Sequence, residues 1–287
     1  MRLLAAIVLA LSFVLAACGE DEGEQDIGEP AAESTAHAHS CEKGDLQTFE
    51  DGVLTIGTDK PAFPPYFIDD DPSNGRGFES AVAYAIAREL GFEKSEVEWT
   101  VVPFNASYRP GPKDFDFDVN QISITPQRAR RVDFSEPYFT APQAVIATDG
   151  SPAADASSLA DLEDVTIGVQ IGTTSLDAVN ASIQPSTQPK VFDDSNAVVT
   201  AIKQGQVDAV VVDLPTALFL TAVELPDAGV VGQFEAPGGD EWGALLEKDS
   251  PLTPCVNEAI DRLKESGELE EITQRWMSES ADAPVLQ

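Results

Sequence analysis

The segment Asn120-Gln121-Ile122-Ser123-Ile124-Thr125-Pro126-Gln127-Arg128 combines a strand pattern with a basic residue near the start of a helix. Apolar Ile122 and Ile124 alternate with polar residues, so the polar side chains share one face of the strand. An arginine close to a helix start can direct two N–H donors at a carboxylate, together with the helix N–H groups. Arg128 is therefore a candidate ligand-binding residue. The alternative is an exposed helix residue, like the two arginines at 130 and 131.

Alternating strand and helix patterns flank this segment on both sides. Strand patterns occupy 53–57, 97–102, 115–124, 143–148, 165–169, 207–212 and 229–234. Helix patterns occupy 78–90, 196–204 and 214–223, and one long amphipathic helix from Cys255 to Trp276 closes the chain. This order predicts α/β lobes with largely parallel sheets, in which ligands bind at the carboxyl ends of strands beside helix N-termini.

A second candidate ligand group ends the apolar strand 207–212. Asp213 follows it directly, where a carboxylate can accept hydrogen bonds from an ammonium group. The alternative role for Asp213 is to cap the helix that follows. Candidate aromatic walls for a ligand are Phe63, Tyr66, Phe104 and Tyr108, although core packing is the more usual role of any one of them.

The N-terminus has the pattern of a secretory signal, with Arg2 before an apolar run too short to span a bilayer. The run ends in Leu15-Ala16-Ala17-Cys18, which resembles the lipobox of bacterial lipoproteins. That resemblance implies cleavage after a signal at 1–17 and acylation of Cys18. The alternative is an ordinary signal followed by a chance cysteine.

The next stretch, 19–40, contains seven acidic residues, no basic one and almost nothing apolar. Such a composition cannot bury enough surface to fold, so we expect a solvated tether over 18–44, Cys18 included. The tether would hold the folded body a few nanometres from the lipid. The two histidines in it, His37 and His39, would form at most a weak metal site, and no metal site is expected.

The whole chain carries 50 acidic and 17 basic residues, a formal net charge of −33 over 287 residues. This charge repels phosphate, which argues against nucleic-acid binding and against electrostatic docking to an anionic membrane. The hydrophobic share of 43% is that of an ordinary folded protein. No apolar run reaches about 18 residues, so no membrane-spanning helix is expected and the lipid is the expected membrane contact.

Two cysteines remain once Cys18 carries lipid. In an oxidising compartment this predicts a disulfide between Cys41 and Cys255. The loop-closure model gives such a bridge roughly 4–5 kcal/mol of stability, as an upper figure. Two free buried thiols are the alternative.

Five motifs occur in order along the body of the chain. They are Gly57-Thr58-Asp59 with a Phe/Pro/Pro turn, Gly77-Phe78-Glu79, Ser123-Ile124-Thr125-Pro126-Gln127-Arg128 with Val132-Asp133-Phe134-Ser135-Glu136-Pro137-Tyr138, Ile167-Gly168-Val169-Gln170-Ile171-Gly172-Thr173-Thr174-Ser175, and Val207-Asp208-Ala209 with Asp213. Together they resemble the extracellular solute-binding proteins of polar-amino-acid ABC transporters, bacterial family 3. The likeness runs from about residue 51 to 277.

The resemblance implies a periplasmic-binding-protein-like α/β fold, in which two lobes joined by two hinge strands close on a ligand cleft. Lobe 1 would comprise 45–144 and 235–281, lobe 2 would comprise 145–234, and 282–287 would be a C-terminal tail. The implied ligand is a polar amino acid, and the implied partner is an ABC permease. Neither a cofactor nor catalytic residues are implied, and such proteins usually work as monomers.

Carried over by motif position, Arg128 would bind the ligand carboxylate and Asp213 the ammonium group from the other lobe. The further ligand-binding residues implied or proposed are Ser123, Thr173, Thr174, Phe63, Phe104, Gln121 and Asp59. Asn120, Gln121 and Gln170 depart from the family pattern, and these extra amides suggest a polar ligand side chain. Asp59 would favour a cationic side chain, or alternatively would cap a turn. The segment 107–113 is also rebuilt, which leaves that wall of the pocket open.

Two other functions fit the same fold. Periplasmic dehydratases of cyclic acids and some lytic transglycosylases share it, and they need a general acid or base in the cleft. The body after the tether has no histidine, so Asp59 or Glu241 would have to take that role. The third hypothesis is a sensor component that presents its bound ligand to a receptor.

Overall fold

The computed structural model describes residues 40–237, 239–277 and 283–287. The predicted signal 1–17, the lipidation site Cys18, and His37 and His39 of the tether lie outside these residues. Within the described ranges, no helix is long and apolar enough to cross a bilayer.

The described chain contains twelve short strands and eight α-helices. The strands are β1 (Leu54–Thr58), β2 (Val97–Val101), β3 (Phe117–Asp118), β4 (Asp133–Phe134), β5 (Phe139–Thr140), β6 (Gln143–Thr148), β7 (Ile167–Gln170), β8 (Lys190–Phe192), β9 (Ala209–Asp213), β10 (Ala228–Phe234), β11 (Glu241–Trp242) and β12 (Leu245–Leu246). The helices are α1 (Phe78–Glu89), α2 (Phe104–Ser107), α3 (Pro126–Ala129), α4 (Thr174–Ala178), α5 (Ser195–Lys203), α6 (Leu214–Phe219), α7 (Thr253–Ser266) and α8 (Glu268–Met277). Helices α4 and α6 each continue into a π-helical turn, Val179–Ile183 and Leu220–Glu224.

The first sheet has the strand order β2-β1-β3-β12-β4. Strand β1 runs parallel to β2 and β3, and all five of its residues are buried. The helices α1, α7 and α8 pack together, and the apolar stripe Val82, Ile86 and Leu90 of α1 lies in the same core as Leu54 and Ile56 of β1. The predicted helix 78–90 is thus present, and its 3.6-residue period reflects this buried face.

The strand predicted over 115–124 is much shorter in the structure, where β3 contains only Phe117 and Asp118. Strand β3 ends at Asp118, and three residues later Gln121 adopts a left-handed backbone conformation, with φ of 48°. Ser123 then forms an isolated bridge with Trp242 rather than continuing the strand. The polar segment therefore lies beyond the carboxyl end of strand β3 rather than within the sheet.

The second sheet has the order β10-β6-β9-β7-β8, with β7 parallel to β8 and β9. Strand β6 is buried on both faces: Val145 and Ala147 pack into one core, and Ala144 and Ile146 into another. A sheet covered on both faces requires nearly continuous apolar strands, which is why β6 and β9 lack polar alternation.

Two segments connect the sheets. The chain passes from β4 through β5 to β6, and it returns from β10 through β11 to β12, with β5 and β11 paired antiparallel between them. The predicted fold is confirmed: two α/β lobes are joined by two strand-like connections. The expectation of largely parallel sheets is wrong, because each five-stranded sheet has two parallel and two antiparallel pairings. We call the lobe of the first sheet lobe 1 and that of the second sheet lobe 2.

Lobe 1 also contains the N-terminal end of the folded body. The Sγ atoms of Cys41 and Cys255 are 2.05 Å apart, so the structure joins the N-terminal segment to α7 by a disulfide. The prediction of one long closing helix is wrong, because Gly267 has φ of 81° and separates α7 from α8. A left-handed residue ends the hydrogen-bonded ladder of an α-helix.

The last described residues pack on lobe 2 rather than on lobe 1. Val285 pairs with Gln233 of β10, and the Leu286 side chain is buried in a lobe 2 core. The backbone N–H of Leu286 donates to the carbonyl oxygen of Gln233 at 2.8 Å. The segment 283–287 therefore extends the outer edge of the second sheet.

Candidate functional site

A cavity of about 80 Å³ lies between the two lobes. Its walls from lobe 1 are Phe63, Phe104, Asn120, Gln121 and Ser123; from lobe 2 they are Gln170, Thr173, Thr174, Ser175, Ser195, Val198, Val199, Val211, Val212, Asp213, Thr216, Phe219 and Leu220. One water needs roughly 10–15 Å³ of such space, so the cavity holds several water-sized groups. We call it the central cavity.

Seven of the nine predicted ligand-binding residues line the central cavity: Phe63, Phe104, Gln121, Ser123, Thr173, Thr174 and Asp213. Asp59 lines a neighbouring outer cavity of about 390 Å³, which shares Phe63 and Phe104 with the central one. Arg128 lines a third cavity of about 150 Å³ and meets the central cavity at Thr174. The structure thus brings most of the predicted set together and places Arg128 at its border.

Asp213 is the last residue of β9 and immediately precedes α6. It occupies the N-cap position of α6, but its side chain makes no capping hydrogen bond, so the helix-cap alternative is not what the structure shows. Its Oδ1 accepts instead from Nε2 of Gln143 at 2.7 Å, and the same nitrogen donates to Asp240 at 3.0 Å. Burial and then the Asp240 charge raise the pKa of Asp213 to about 7, opposed by Gln143 and Arg128.

Arg128 lies in α3, whose first turn is capped by the Thr125 hydroxyl. Only 7% of Arg128 is exposed, so the alternative of an exposed helix residue is wrong, although Arg130 and Arg131 are exposed. Its Nη1 donates to the carbonyl oxygen of Ser123 at 2.7 Å, and its Nη2 donates to that of Gly172 at 2.9 Å. Because Ser123 belongs to lobe 1 and Gly172 to lobe 2, the guanidinium links the lobes.

Two aromatic rings hold the Arg128 guanidinium in place. Its central carbon lies 4.9 Å from the ring centroid of Tyr108 and 5.5 Å from that of Phe104. The Tyr108 hydroxyl donates to Oδ1 of Asn105 at 2.7 Å and lies 3.4 Å from the carbonyl oxygen of Gly172. The rebuilt segment after Phe104 thus forms the wall beside Arg128, which the sequence left open.

The start of α4 supplies the polar surface opposite Ser123. Thr173 caps the helix by accepting from the N–H of Leu176, and its hydroxyl donates to the carbonyl oxygen of Gln170 at 2.9 Å. The hydroxyls of Thr174 and Ser123 are 3.1 Å apart across the cleft. The first N–H groups of a helix have no partner within it, so this edge suits an anionic group.

Gln121 is positioned by a buried carboxyl group from α1. Glu79 accepts the backbone N–H of Gln121 at 2.7 Å, the Gln121 side-chain amide, and the Tyr138 hydroxyl at 2.5 Å. Burial raises the pKa of Glu79 to about 7, against these three hydrogen bonds. The sequence marked Glu79 only as part of a motif; its spacing of 42 residues from Gln121 carried no signal of the contact.

Asp59 accepts hydrogen bonds from backbone N–H groups, as a turn cap does, and it also lines the outer cavity. Its Oδ1 accepts from the N–H of Lys60 at 2.7 Å, and its Oδ2 accepts from that of Phe104 at 3.1 Å. Phe63 faces Phe219 of lobe 2, with ring centroids 6.4 Å apart. In the ranges that the structure describes, no group of three or more His, Cys, Asp and Glu side chains is arranged to hold a metal ion.

The sequence of this chain matches a known protein family. The family model "Bacterial extracellular solute-binding proteins, family 3" matches residues 54–279. The L-cystine-binding protein TcyJ of Escherichia coli (strain K12) is 27% identical over 230 residues, which cover 79% of this chain and 83% of TcyJ.

Two solved structures have the same fold. An ancestral arginine-binding protein bound to glutamine is 31% identical with a TM-score of 0.67, and the match covers 79% of this chain and 98% of that one. The ancestral amino-acid-binding protein AncCDT-1, a precursor of cyclohexadienyl dehydratase, is 29% identical with a TM-score of 0.65, covering 78% and 95%.

Proposed function

The chain belongs to the bacterial extracellular solute-binding proteins of family 3, and we propose that it captures a polar L-amino acid for delivery to an ABC importer. The observation that carries this proposal is a central cavity walled by both lobes, with a buried cation at its border and a carboxyl group in its wall. One relative is named as a cystine-binding protein, and another is an arginine-binding protein bound to glutamine. Both support an amino acid as the ligand.

The carboxylate of the ligand would bind at the border with Arg128. A guanidinium has five N–H donors, and the carbonyl oxygens of Ser123 and Gly172 occupy two of them. The remaining donors, the one hydroxyl of the Ser123–Thr174 pair that does not donate to the other, and the first N–H groups of α4 are available to an anion. Charge-assisted hydrogen bonds of this kind are shorter and stronger than neutral ones.

The ammonium group of the ligand would bind Asp213. Among the described residues, no lysine or arginine side chain hydrogen-bonds this carboxyl group; its hydrogen-bond donor is the neutral amide of Gln143. A cation beside it would lower its pKa from about 7 and stabilise the charged form. Asp213 and Arg128 would thus fix the two charged groups of a zwitterion.

Binding would act by favouring the closed arrangement of the lobes. Hydrogen bonds that cross the cleft join Tyr66 to Thr216 at 2.8 Å and Arg128 to Gly172 at 2.9 Å. A ligand touches both lobes only when they are close together, so its binding energy shifts the population towards this form. No covalent step is needed for this function.

The place of the protein in the cell belongs to the same proposal. A lipid on Cys18 would hold a monomer at the outer face of the membrane, the segment 18–44 would act as its tether, and the disulfide Cys41–Cys255 would form in that oxidising compartment. Mass spectrometry of the protein from its native membrane tests this. An N-terminus at Cys18 with added acyl mass supports the proposal, and an unmodified Cys18 contradicts it.

An enzymatic function is the second candidate, because AncCDT-1 is described as a dehydratase precursor and Asp213 has a pKa near neutrality. A cleft carboxyl group with such a pKa is suited to proton transfer. Of the two carboxyl groups considered from sequence, Asp59 is occupied by backbone N–H groups and Glu241 lines a groove away from the central cavity. Product formation from a cyclohexadienyl acid would support this candidate.

The deciding experiment is a thermal-shift screen of residues 41–287, refolded to remove bound solute, against the twenty L-amino acids. Ligand at one hundred times its Kd adds about 2.7 kcal/mol to the free energy of unfolding. We expect a clear rise in melting temperature with one or a few polar amino acids. No rise with any of them contradicts the proposed function.

A further inference from the structure

Two amide side chains face the ligand site from opposite lobes. Asn120 follows β3 in lobe 1, and Gln170 ends β7 in lobe 2. Both line the central cavity and the outer cavity, so they stand at the passage between the two. This is the region beyond the carboxylate and ammonium sites that a ligand side chain would enter.

Asn120 carries a buried donor without a partner. The residue is 9% exposed, and its Nδ2 is inaccessible to solvent and makes no hydrogen bond within the described chain. Buried polar groups nearly always have a hydrogen-bond partner, and leaving one unpaired destabilises the protein. Because Asn120 lines the cavity, an acceptor oxygen of a bound molecule would supply the missing partner once the amide turns towards it.

Gln170 is oriented by a hydrogen bond at its other end. Its Oε1 accepts from the hydroxyl of Ser195 at 2.7 Å, which leaves the Nε2 donors without a partner in the part of the chain that the structure describes. Ser195 lines both cavities as well. Each lobe thus has an amide with unpaired N–H donors beside the same two cavities, and an acceptor oxygen would pair with them.

The charges around the cleft determine which kind of acceptor group on a ligand can bind there. Asp213 lies in the central cavity, and three carboxyl groups (Asp59, Asp193 and Asp194) line the outer one against a single cation, Lys60, so the net charge disfavours an anionic side chain. Ammonium and guanidinium groups have no acceptor atom for the two N–H donors. A neutral carboxamide has both an acceptor oxygen and N–H donors, and its donors can pair with the side-chain oxygen of Asn120, which accepts no hydrogen bond from the described residues.

We propose, resting on the function proposed above, that Asn120 and Gln170 determine specificity and that the ligand is a neutral amino acid with a terminal carboxamide. The oxygen of the carboxamide accepts from the side-chain amides of both residues. Its nitrogen donates to the oxygen of Asn120. Phe63 and Phe104, which line both cavities, cover the apolar part of the ligand side chain.

Calorimetric titration of the full chain with L-glutamine, L-asparagine, L-glutamate and L-arginine tests the proposal. We expect L-glutamine or L-asparagine to bind at least about tenfold more tightly than either charged amino acid, the factor for one hydrogen bond. The isosteric variants Asn120→Asp and Gln170→Glu replace donors by acceptors. Each should lose about tenfold in carboxamide affinity and gain affinity for L-arginine.

The matched control is Gln204→Glu, which adds the same charge on the exposed surface of lobe 2 and keeps the oxygen that Gln206 contacts. It should bind like the wild type. Asn120→Asp adds a carboxyl group two residues from buried Asp118, so Gln170→Glu tests the proposal alone if that variant does not fold. Tighter binding of a charged amino acid by the wild type overturns this inference and leaves the proposed function standing. No binding of any amino acid overturns both.

Discussion

The two ends of the cleft hold opposite charges in different ways. At one end, the Arg128 guanidinium donates to carbonyl oxygens of both lobes and lies against the rings of Phe104 and Tyr108. At the other end, Asp213 accepts from a single neutral amide, which it shares with Asp240. The cation is surrounded by partners before any ligand binds, whereas the anion is not.

This difference shows in the pKa values. Burial lowers the pKa of Arg128, but an arginine starts so far above neutrality that it stays charged. Burial and Asp240 raise the pKa of Asp213 to about 7, so its protonated and ionised forms are present in similar amounts at neutral pH. Arg128 therefore carries a permanent positive charge, and its side chain also joins the two lobes. The carboxyl group of Asp213 becomes fully ionised when the ammonium group of the ligand binds beside it.

The largest effect is expected from Arg128→Ala. The substitution leaves the ligand carboxylate without its cation and removes a link to Gly172, so binding should weaken by about 2–5 kcal/mol, roughly 30-fold to several thousand-fold in Kd. Calorimetric titration measures this loss, with the exposed neighbour changed in Arg130→Ala as the control. Wild-type affinity in Arg128→Ala would remove Arg128 from the site.

Asp213→Asn should have the next largest effect, about 1.5–3 kcal/mol, because it removes a charged acceptor of the ligand ammonium group. The charged carboxylate is the binding form, and its pKa without ligand is about 7. Wild-type affinity should therefore be full above pH 7 and should fall as the pH is lowered, by up to about tenfold per pH unit. Titrations at pH 5.5 to 8 measure this slope.

The same series assigns the slope to a residue. Glu79 also has a pKa of about 7, and it holds Gln121 in the wall of the central cavity. If Asp213 is the group that titrates, Asp213→Asn should bind weakly but with nearly constant affinity over this pH range. A variant that keeps the full wild-type slope would point to Glu79 instead and contradict the role given to Asp213.

Local patterns predicted the elements that carry these charges. The helix 78–90 and the strand before Asp213 follow from periodicity, because apolar residues repeat with the buried face of each element. The position of Asp213 at a sheet edge follows from the strand that precedes it. What ends an element was harder to predict: the left-handed backbone at Gln121 and Gly267 has no periodic signal.

The individual contacts between the lobes could not be predicted from the sequence. Arg128 was a candidate from its motif, but its partner Gly172 is 44 residues away and in the other lobe. Which carbonyl oxygen a guanidinium reaches depends on how the lobes pack, and spacing along the chain does not contain that information. Tyr108 shows the same limit, because it was only one of four aromatic candidates until the structure placed it beside Arg128.

Gly172→Ala tests whether ligand binding at Arg128 requires the two lobes to approach each other closely. Gly172 has φ of 76°, and an added Cβ would collide with the Tyr108 hydroxyl and Oδ1 of Asn105 across the cleft. An alanine in a left-handed conformation costs about 1–2 kcal/mol, and the collision adds a cost only in the closed form. We expect ligand affinity to fall about tenfold.

The control for backbone strain is Gly150→Ala, since Gly150 has φ of 77° and open space around its Cβ position. It should lower the melting temperature but leave affinity unchanged. Adding Asn105→Ala to Gly172→Ala removes one of the colliding atoms, so part of the affinity should return. Equal losses in Gly172→Ala and Gly150→Ala would show that strain, and not closure, is responsible.

The smallest effect is expected from Tyr108→Phe, which separates the two contacts of this side chain. The ring against Arg128 remains, whereas the hydroxyl is lost with both of its hydrogen bonds, the one within lobe 1 to Oδ1 of Asn105 and the one across the cleft to the carbonyl oxygen of Gly172. At 3.4 Å that hydrogen bond is long, so dissociation should accelerate about twofold, the low end for a neutral hydrogen bond, with association unchanged. Stopped-flow fluorescence resolves the two rates. Tyr108→Ala, which also removes the ring, should dissociate faster still, and identical rates in both variants would mean that the ring does not hold Arg128 in place.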